Sequence, residues 1–206
     1  MDDSQLDIYY REIKRQANIA EYLVGLHQEA ARSGRITEVF ATAQGILAAA
    51  VAVSRTLWPD PPIRRKGMNP VAYAELEKFT NDRGEQLRHA LVADDFAFLK
   101  ERKVRNSLEH FDARLDEHLL ARQPIIDSNI GMPEFIQTPY NVLRLFDDVR
   151  LELSVLGEKV SIPQLCRAMN ELANRIFTLE TVHAESYDAA AAQAEVADPS
   201  PVATGD

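Results

Sequence analysis

The unbroken apolar run from Ile46 to Val53 limits what this chain can fold into more than any other feature. It lies inside a longer helical pattern, from about Ile36 to Leu57. Arg32-Ser33-Gly34-Arg35 precedes the pattern and Trp58-Pro59-Asp60-Pro61-Pro62 follows it. A membrane-spanning helix needs about 20 consecutive apolar residues. Here Glu38, Gln44 and Arg55 confine the apolar part to well under that length. The segment is therefore expected to be a buried core helix, with Ala41, Gly45 and Ala49 spaced to let a neighbouring helix come close.

The rest of the chain supplies candidate partners. Leu6, Tyr9, Ile13, Ala17, Ala20 and Val24 recur every three or four residues, which predicts a long amphipathic helix starting near Ser4. Asn69-Pro70 reads as an N-cap followed by proline at the first helical position. It predicts a helix to about Asn81, then a short one over Gly84–Val92. A longer helix, roughly Asp95–Ala121 with a break near Lys100, comes next. Residues 123–139 hold three prolines and read as irregular. Then the period changes to two: Val149, Leu151, Leu153 and Val155 alternate, Leu156-Gly157-Glu158 turns, and Lys159–Ile162 alternates again, which is a β-hairpin pattern. Leu165, Met169, Leu172, Ile176 and Leu179 mark a last helix from Pro163 to about Ser186. The expected fold is mainly α, an antiparallel helical bundle over residues 1–187 with a hairpin insertion at about 143–162. Residues 188–206, an Ala/Pro-rich acidic tail, are expected to be disordered.

Charge matters through its distribution. The chain carries 23 Lys+Arg and 32 Asp+Glu, a net −9. Its last 23 residues hold five acids and no base, which leaves −4 for the rest. That balance argues against coating of DNA or of an anionic membrane by the whole surface. It leaves room for a small local RNA site. The lone Cys166 cannot form an internal disulfide, and the acidic opening residues lack the basic and apolar regions of a signal peptide. A cytoplasmic protein is expected.

Most familiar chemical signatures are missing from the sequence. The glycines form no phosphate-cradling loop, and no G-x-S-x-G occurs. Cys166 sits in an amphipathic helix pattern and reads as a packed side chain. One E-x-x-H occurs, Glu180 with His183, whereas a carboxylate-bridged dimetal bundle needs two. No metal or cofactor is expected.

What remains is the stretch Lys100-Glu101-Arg102-Lys103-Val104-Arg105-Asn106-Ser107-Leu108-Glu109-His110-Phe111-Asp112. At about 100° per residue, Val104, Leu115 and Leu119 fall within about 40° of Leu108, which predicts the packed stripe. Asn106, His110, Ala113 and Glu117 fall about 140–200° away, so His110 faces solvent or an interface. Arg105 has a plain role open to it as well, an i,i+4 ion pair with Glu109 contributing about 0.2–0.5 kcal/mol.

Arg105 and His110, with Asn106 after the arginine, resemble the R-x4-6-H signature of the HEPN (higher eukaryotes and prokaryotes nucleotide-binding) domains. The expected helical setting agrees with that family. The resemblance implies a homodimer whose cleft pools Arg105 and His110 of both chains. It also implies metal-independent endoribonuclease activity, as in toxin–antitoxin or phage-defence systems, with an antitoxin or regulatory protein as partner. Arg105 would stabilise the phosphate, His110 would serve as acid and base, and Asn106 would orient one of them. Lys100, Arg102 and Lys103 would line the RNA path. Some members lack catalysis and act as binding or adaptor modules, and that alternative stands beside the first. One departure is plain: HEPN toxins paired with a nucleotidyltransferase commonly carry a tyrosine two residues after the histidine, where this chain has Asp112 after Phe111. A nucleotidyltransferase partner is not expected.

Overall fold

The computed structural model describes residues 3–101, 106, 111–120, 125–131 and 141–197. The chain is mostly helical, with a small four-stranded sheet inserted before the last helix. In chain order the helices are α1 (Asp3–Arg32), α2 (Ile36–Leu57), α3 (Pro70–Leu91), a 3-10 segment (Ala93–Lys100), α4 (Phe111–Leu120) and α5 (Ile162–Ala197). The strands β1 (Ile125–Ile130), β2 (Asn141–Asp147), β3 (Glu152–Val155) and β4 (Glu158–Ser161) lie between α4 and α5.

The apolar run dictates the centre of the molecule. α2 buries Val39, Ile46, Val53 and Leu57 completely and packs against α1, α3 and α5. It is long and apolar enough to cross a bilayer, yet most of its larger apolar side chains from Val39 to Leu57 are buried inside the molecule. Ile13 and Ala17 of α1, Leu87 and Leu91 of α3, and Met169, Leu172 and Ile176 of α5 complete this core. Each large apolar side chain so buried contributes about 1.5–3 kcal/mol.

α1 ends where glycine lets it. Gly34 takes φ +65°, and the Arg35 amide reaches back to the Ala30 carbonyl at 2.9 Å, a six-to-one closure typical of helix C-termini. The reversal sets α2 antiparallel to α1. Leu23 rests on Gly45, where an added Cβ would lie 2.7 Å from Leu23 Cδ1, and His27 meets Val39 and Thr42. Of the three small residues expected to admit a neighbour, Gly45 does so and Ala49 is buried, while Ala41 is exposed.

Asn69 caps α3 as expected, its side chain accepting from the Val71 amide at 2.8 Å. The expected division of α3 near residues 81–84 does not occur. Gly84 is a point of close approach to the end of α2: a Cβ there would lie 2.7 Å from Pro59 Cδ and 3.1 Å from the Leu57 carbonyl. One turn on, Arg88 donates to that same carbonyl at 2.6 Å.

The sheet order is β1-β2-β3-β4, with β1 parallel to β2 and the other pairs antiparallel. β1 and β2 were not foreseen; β1 occupies part of the stretch read as irregular. The hairpin itself is present but shorter than its alternation suggested. Val149 and Leu151 are 67% and 41% exposed, because Asp147 accepts from the Val149 and Arg150 amides and forms a turn there. Ile130, Phe146, Leu153, Val155 and Val160 join the helical core. They fall on one face by the pairings Ile130↔Phe146, Phe146↔Leu153 and Leu153↔Val160. α5 runs to Ala197, beyond the expected end near Ser186. Ala189–Ala192 have the best intrinsic helix propensity of any residue type, which outweighs their lack of bulk to bury. Residues 198–206 of the expected disordered tail lie outside the described residues.

Candidate functional site

The chain is turned sharply before it enters the motif. α3 stops at Val92, a non-glycine residue at φ +46°. Arg175 of α5 clamps this end, donating to the Leu91 and Val92 carbonyls at 2.9 and 2.8 Å. The same guanidinium pairs with Asp95 and Glu171 and lies 4.9 Å from the Phe96 ring centre. The 3-10 segment then ends at Lys100, and Glu101 is extended, with φ −65° and ψ 128°. This is the break expected near Lys100.

Of the six predicted site residues, two are described. Lys100 is exposed at the end of the 3-10 segment, and Asn106 is helical and exposed. Arg102, Lys103, Arg105 and His110 lie outside the described residues, as do Val104 and Leu108. The second basic cluster, Arg64-Arg65-Lys66, is exposed in the loop before α3. Lys100 lies beyond the other end of that helix.

α4, which begins one residue after His110, corrects the expected stripe. Phe111 and Leu115 are half-buried, but Leu119 is 56% exposed and Leu120 83% exposed. The physical reason is the unforeseen sheet. Phe111 packs toward the core beneath Arg144 of β2, whose guanidinium carbon lies 4.2 Å from the ring centre. Such a cation–π contact contributes about 0.5–2 kcal/mol. α4 is thus anchored by its first turn on the sheet, and its last turn stands free of the helical core. Glu117 is exposed, as expected for the noncore side.

Beside the entry to the motif lies a cleft of about 220 Å³. Leu47, Val51, Phe98 and Leu165 contribute apolar walls, and Glu101, Glu152, Lys159, Ser161 and Gln164 contribute polar groups. The hairpin therefore has a defined place: Glu152, Lys159 and Ser161 wall a cleft that Phe98, Leu99 and Glu101 line from the 3-10 segment and the residue after it.

Other candidate groups have structural roles. Cys166 is half-buried, and burial pushes its thiol pKa up, away from the reactive thiolate. Glu180 pairs with Lys14 of α1 rather than with a metal, and His183 is exposed. Among the described residues, no group of three or more potential ligands could hold a metal ion.

One residue with unusual chemistry was missed. His27 is 5% exposed, three residues beyond Val24 on the apolar stripe of α1, so the helical period itself was the signal. Thr42 Oγ1 donates to the Glu38 carbonyl at 2.7 Å and accepts from His27 Nδ1 at 2.9 Å. Nδ1 also faces the Val39 carbonyl at 3.2 Å. The carbonyl contact requires a proton on Nδ1, and the Thr42 hydroxyl, its own proton directed at the Glu38 carbonyl, then serves as a second acceptor. Nε2 is buried without a hydrogen-bond partner among the described residues. Burial holds the imidazole pKa below its ordinary value.

Comparison with family models, with curated proteins and with solved structures finds no match to this chain.

Proposed function

We propose that this chain is a HEPN-like, metal-independent endoribonuclease of the cytoplasm, built as an antiparallel helical bundle. It would act as a homodimer in a toxin–antitoxin or phage-defence setting. The observation that carries this proposal is the run Arg105-Asn106-Ser107-Leu108-Glu109-His110. Two structural facts support it. Asn106 is helical and exposed, and the last turn of α4 presents Leu119 and Leu120 outside the core, where a second copy would cover them.

The chemistry follows from the residue types. His110, with an ordinary pKa near 6.5, takes the proton of a ribose 2′-OH and returns one to the leaving 5′-oxygen. Arg105 remains charged and holds the non-bridging phosphate oxygens as negative charge grows on them. Asn106 orients one of the two. The products are a 2′,3′-cyclic phosphate and a 5′-hydroxyl. Lys100, Arg102 and Lys103 supply local phosphate contacts.

A specific observation favours a second reading. Glu101 and Glu152 contribute carboxylates to the cleft beside the motif, which repel a phosphate chain and suit a non-catalytic adaptor with a protein partner. One experiment separates the two. Purified protein is incubated with single-stranded and structured RNA in EDTA, alongside His110→Ala and Arg105→Ala. Cleavage with cyclic-phosphate ends, lost in both variants while helicity and oligomeric state persist, establishes the nuclease. Identical RNA profiles for all three proteins refute it and leave the adaptor.

A further inference from the structure

We propose that His27 is an acid-sensitive latch joining the α1–α2 helical hairpin to the sheet, closed while its imidazole is neutral and released when the ring is protonated. The inference does not depend on the chemistry proposed for Arg105 and His110.

The geometry separates the two sides of the ring. Nδ1 carries its proton in both charge states, so its bonds to Thr42 and the Val39 carbonyl of α2 survive acidification. Nε2 is the atom that changes. In the neutral ring it is a bare lone pair in an apolar place, which is tolerable. Protonated, it becomes a charged N–H donor that must be desolvated with no acceptor among the described residues to receive it. The aromatic side chain against the imidazole is Phe146 of β2, itself fully buried, with ring centres 4.6 Å apart and planes inclined at 70°. To hydrate the new donor, water must enter the contact between α1 and the sheet.

The surrounding charges do not offer an internal alternative. On α1 and the following turn, Glu21 is exposed, Arg32 donates to the Gln28 carbonyl, and Glu29 pairs with Arg35. On α2, Glu38 pairs with the same Arg35. On β2, Asp147 is engaged by Arg150 and Arg144 lies over Phe111. Burial is the dominant influence on the ring, opposed by the Val39 carbonyl. β2 extends the consequence. Phe146 and Arg144 stand two residues apart on one face of the strand, so a change at His27 reaches the anchor of α4.

The sign follows from linkage. A histidine whose pKa is depressed in the closed state favours closure fully above its released pKa, near 6.5. That advantage is lost as pH falls from there toward the closed-state pKa. Within this window the opening equilibrium of the sheet rises as pH falls, by at most about tenfold per pH unit for one proton.

The test uses the full chain. Imidazole ¹⁵N NMR should show His27 with a protonated Nδ1 and a bare Nε2 at neutral pH, titrating below the ordinary 6.5. Hydrogen exchange, corrected for chemical exchange rate, should show the amides of residues 141–161 opening more at about pH 5.5 than at about pH 7, by up to about tenfold, with α1 and α2 unchanged. His27→Asn keeps a donor at the Nδ1 position and cannot titrate, so the acid step should vanish. A His27 titration at or above the ordinary value, sheet exchange indifferent to pH, or a step that survives in His27→Asn each overturns the latch. Should His27→Asn fail to fold, the wild-type measurements decide: the sheet must open along the titration curve of His27 and not along that of another histidine.

Discussion

Replacing Gly84 with alanine sets two effects of opposite sign against each other. In a solvent-exposed helix interior, alanine is about 1 kcal/mol more favourable than glycine. At Gly84 the new Cβ would lie 2.7 Å from Pro59 Cδ and 3.1 Å from the Leu57 carbonyl oxygen. Neither neighbour is the free end of a flexible chain, so α3 must shift away from the end of α2. Overpacking of this kind costs about 1–3 kcal/mol. Arg88 adds to the loss, because its hydrogen bond to the Leu57 carbonyl at 2.6 Å spans the same gap, and bonds to charged groups contribute about 1.5–3 kcal/mol. Even with half of that bond retained, Gly84→Ala should be destabilised by about 1–3 kcal/mol net. Gly25 is the matched control. It lies in the exposed interior of α1 with nothing within 4 Å of an added Cβ, so Gly25→Ala should gain up to about 1 kcal/mol. Urea unfolding followed by far-ultraviolet circular dichroism measures both. Melting temperatures should move in opposite directions by about 2–4 °C per kcal/mol for a chain of this size. A stabilised Gly84→Ala would refute the close approach and restore Gly84 to the role of helix interruption.

Three further expectations test other parts of the structure. Arg175→Met should cost about 2 kcal/mol by uncapping the Leu91 and Val92 carbonyls while keeping much of the aliphatic packing; equilibrium unfolding checks it, and Arg175→Lys should restore little, since one ammonium cannot serve two carbonyls and two carboxylates at once. Asp147 is held below its ordinary range first by the Arg150 amide, then by the Arg150 side chain and the Val149 amide. Its contribution to stability is therefore present above about pH 4 and lost as pH falls through the folded-state pKa, and unfolding of wild type should steepen with acid below about pH 4 in a way that Asp147→Asn does not. Finally, if a second copy covers the end of α4, the pair Leu119→Glu and Leu120→Glu should give monomers of unchanged helicity in analytical ultracentrifugation. A wild-type protein that is already monomeric at micromolar concentration removes the homodimer from the proposed function.

The elements legible in the sequence are those whose information is local. α2 could be placed closely, from about Ile36 to Leu57, because a glycine turn and a proline cluster bracket its apolar run, and the cap Asn69-Pro70 acts through its own neighbours. The misreadings lie where distant residues decide. Gly84 looks like an interruption until Pro59 is placed against it. Leu119 looks like core until Phe111 is seated under Arg144, a strand residue that helical periodicity could not anticipate. β1 hides among prolines because a strand paired on a sheet draws its stability from the partner rather than from its own pattern. The same distinction governs the candidate site. A short motif reports residue types and spacing, whereas its chemistry depends on what faces Arg105 and His110 across space. The described groups nearest them in sequence, Lys100 and Glu101 before and the Phe111–Arg144 contact after, carry opposite implications for RNA: two cations favour a phosphate chain and the cleft carboxylates resist one. Exchanging Glu101 and Glu152 for glutamine weighs those terms directly. The nuclease reading requires RNA affinity to rise, with the gain shrinking as salt is added. The adaptor reading requires RNA binding to remain undetectable, since removing repulsion creates no site where none was built.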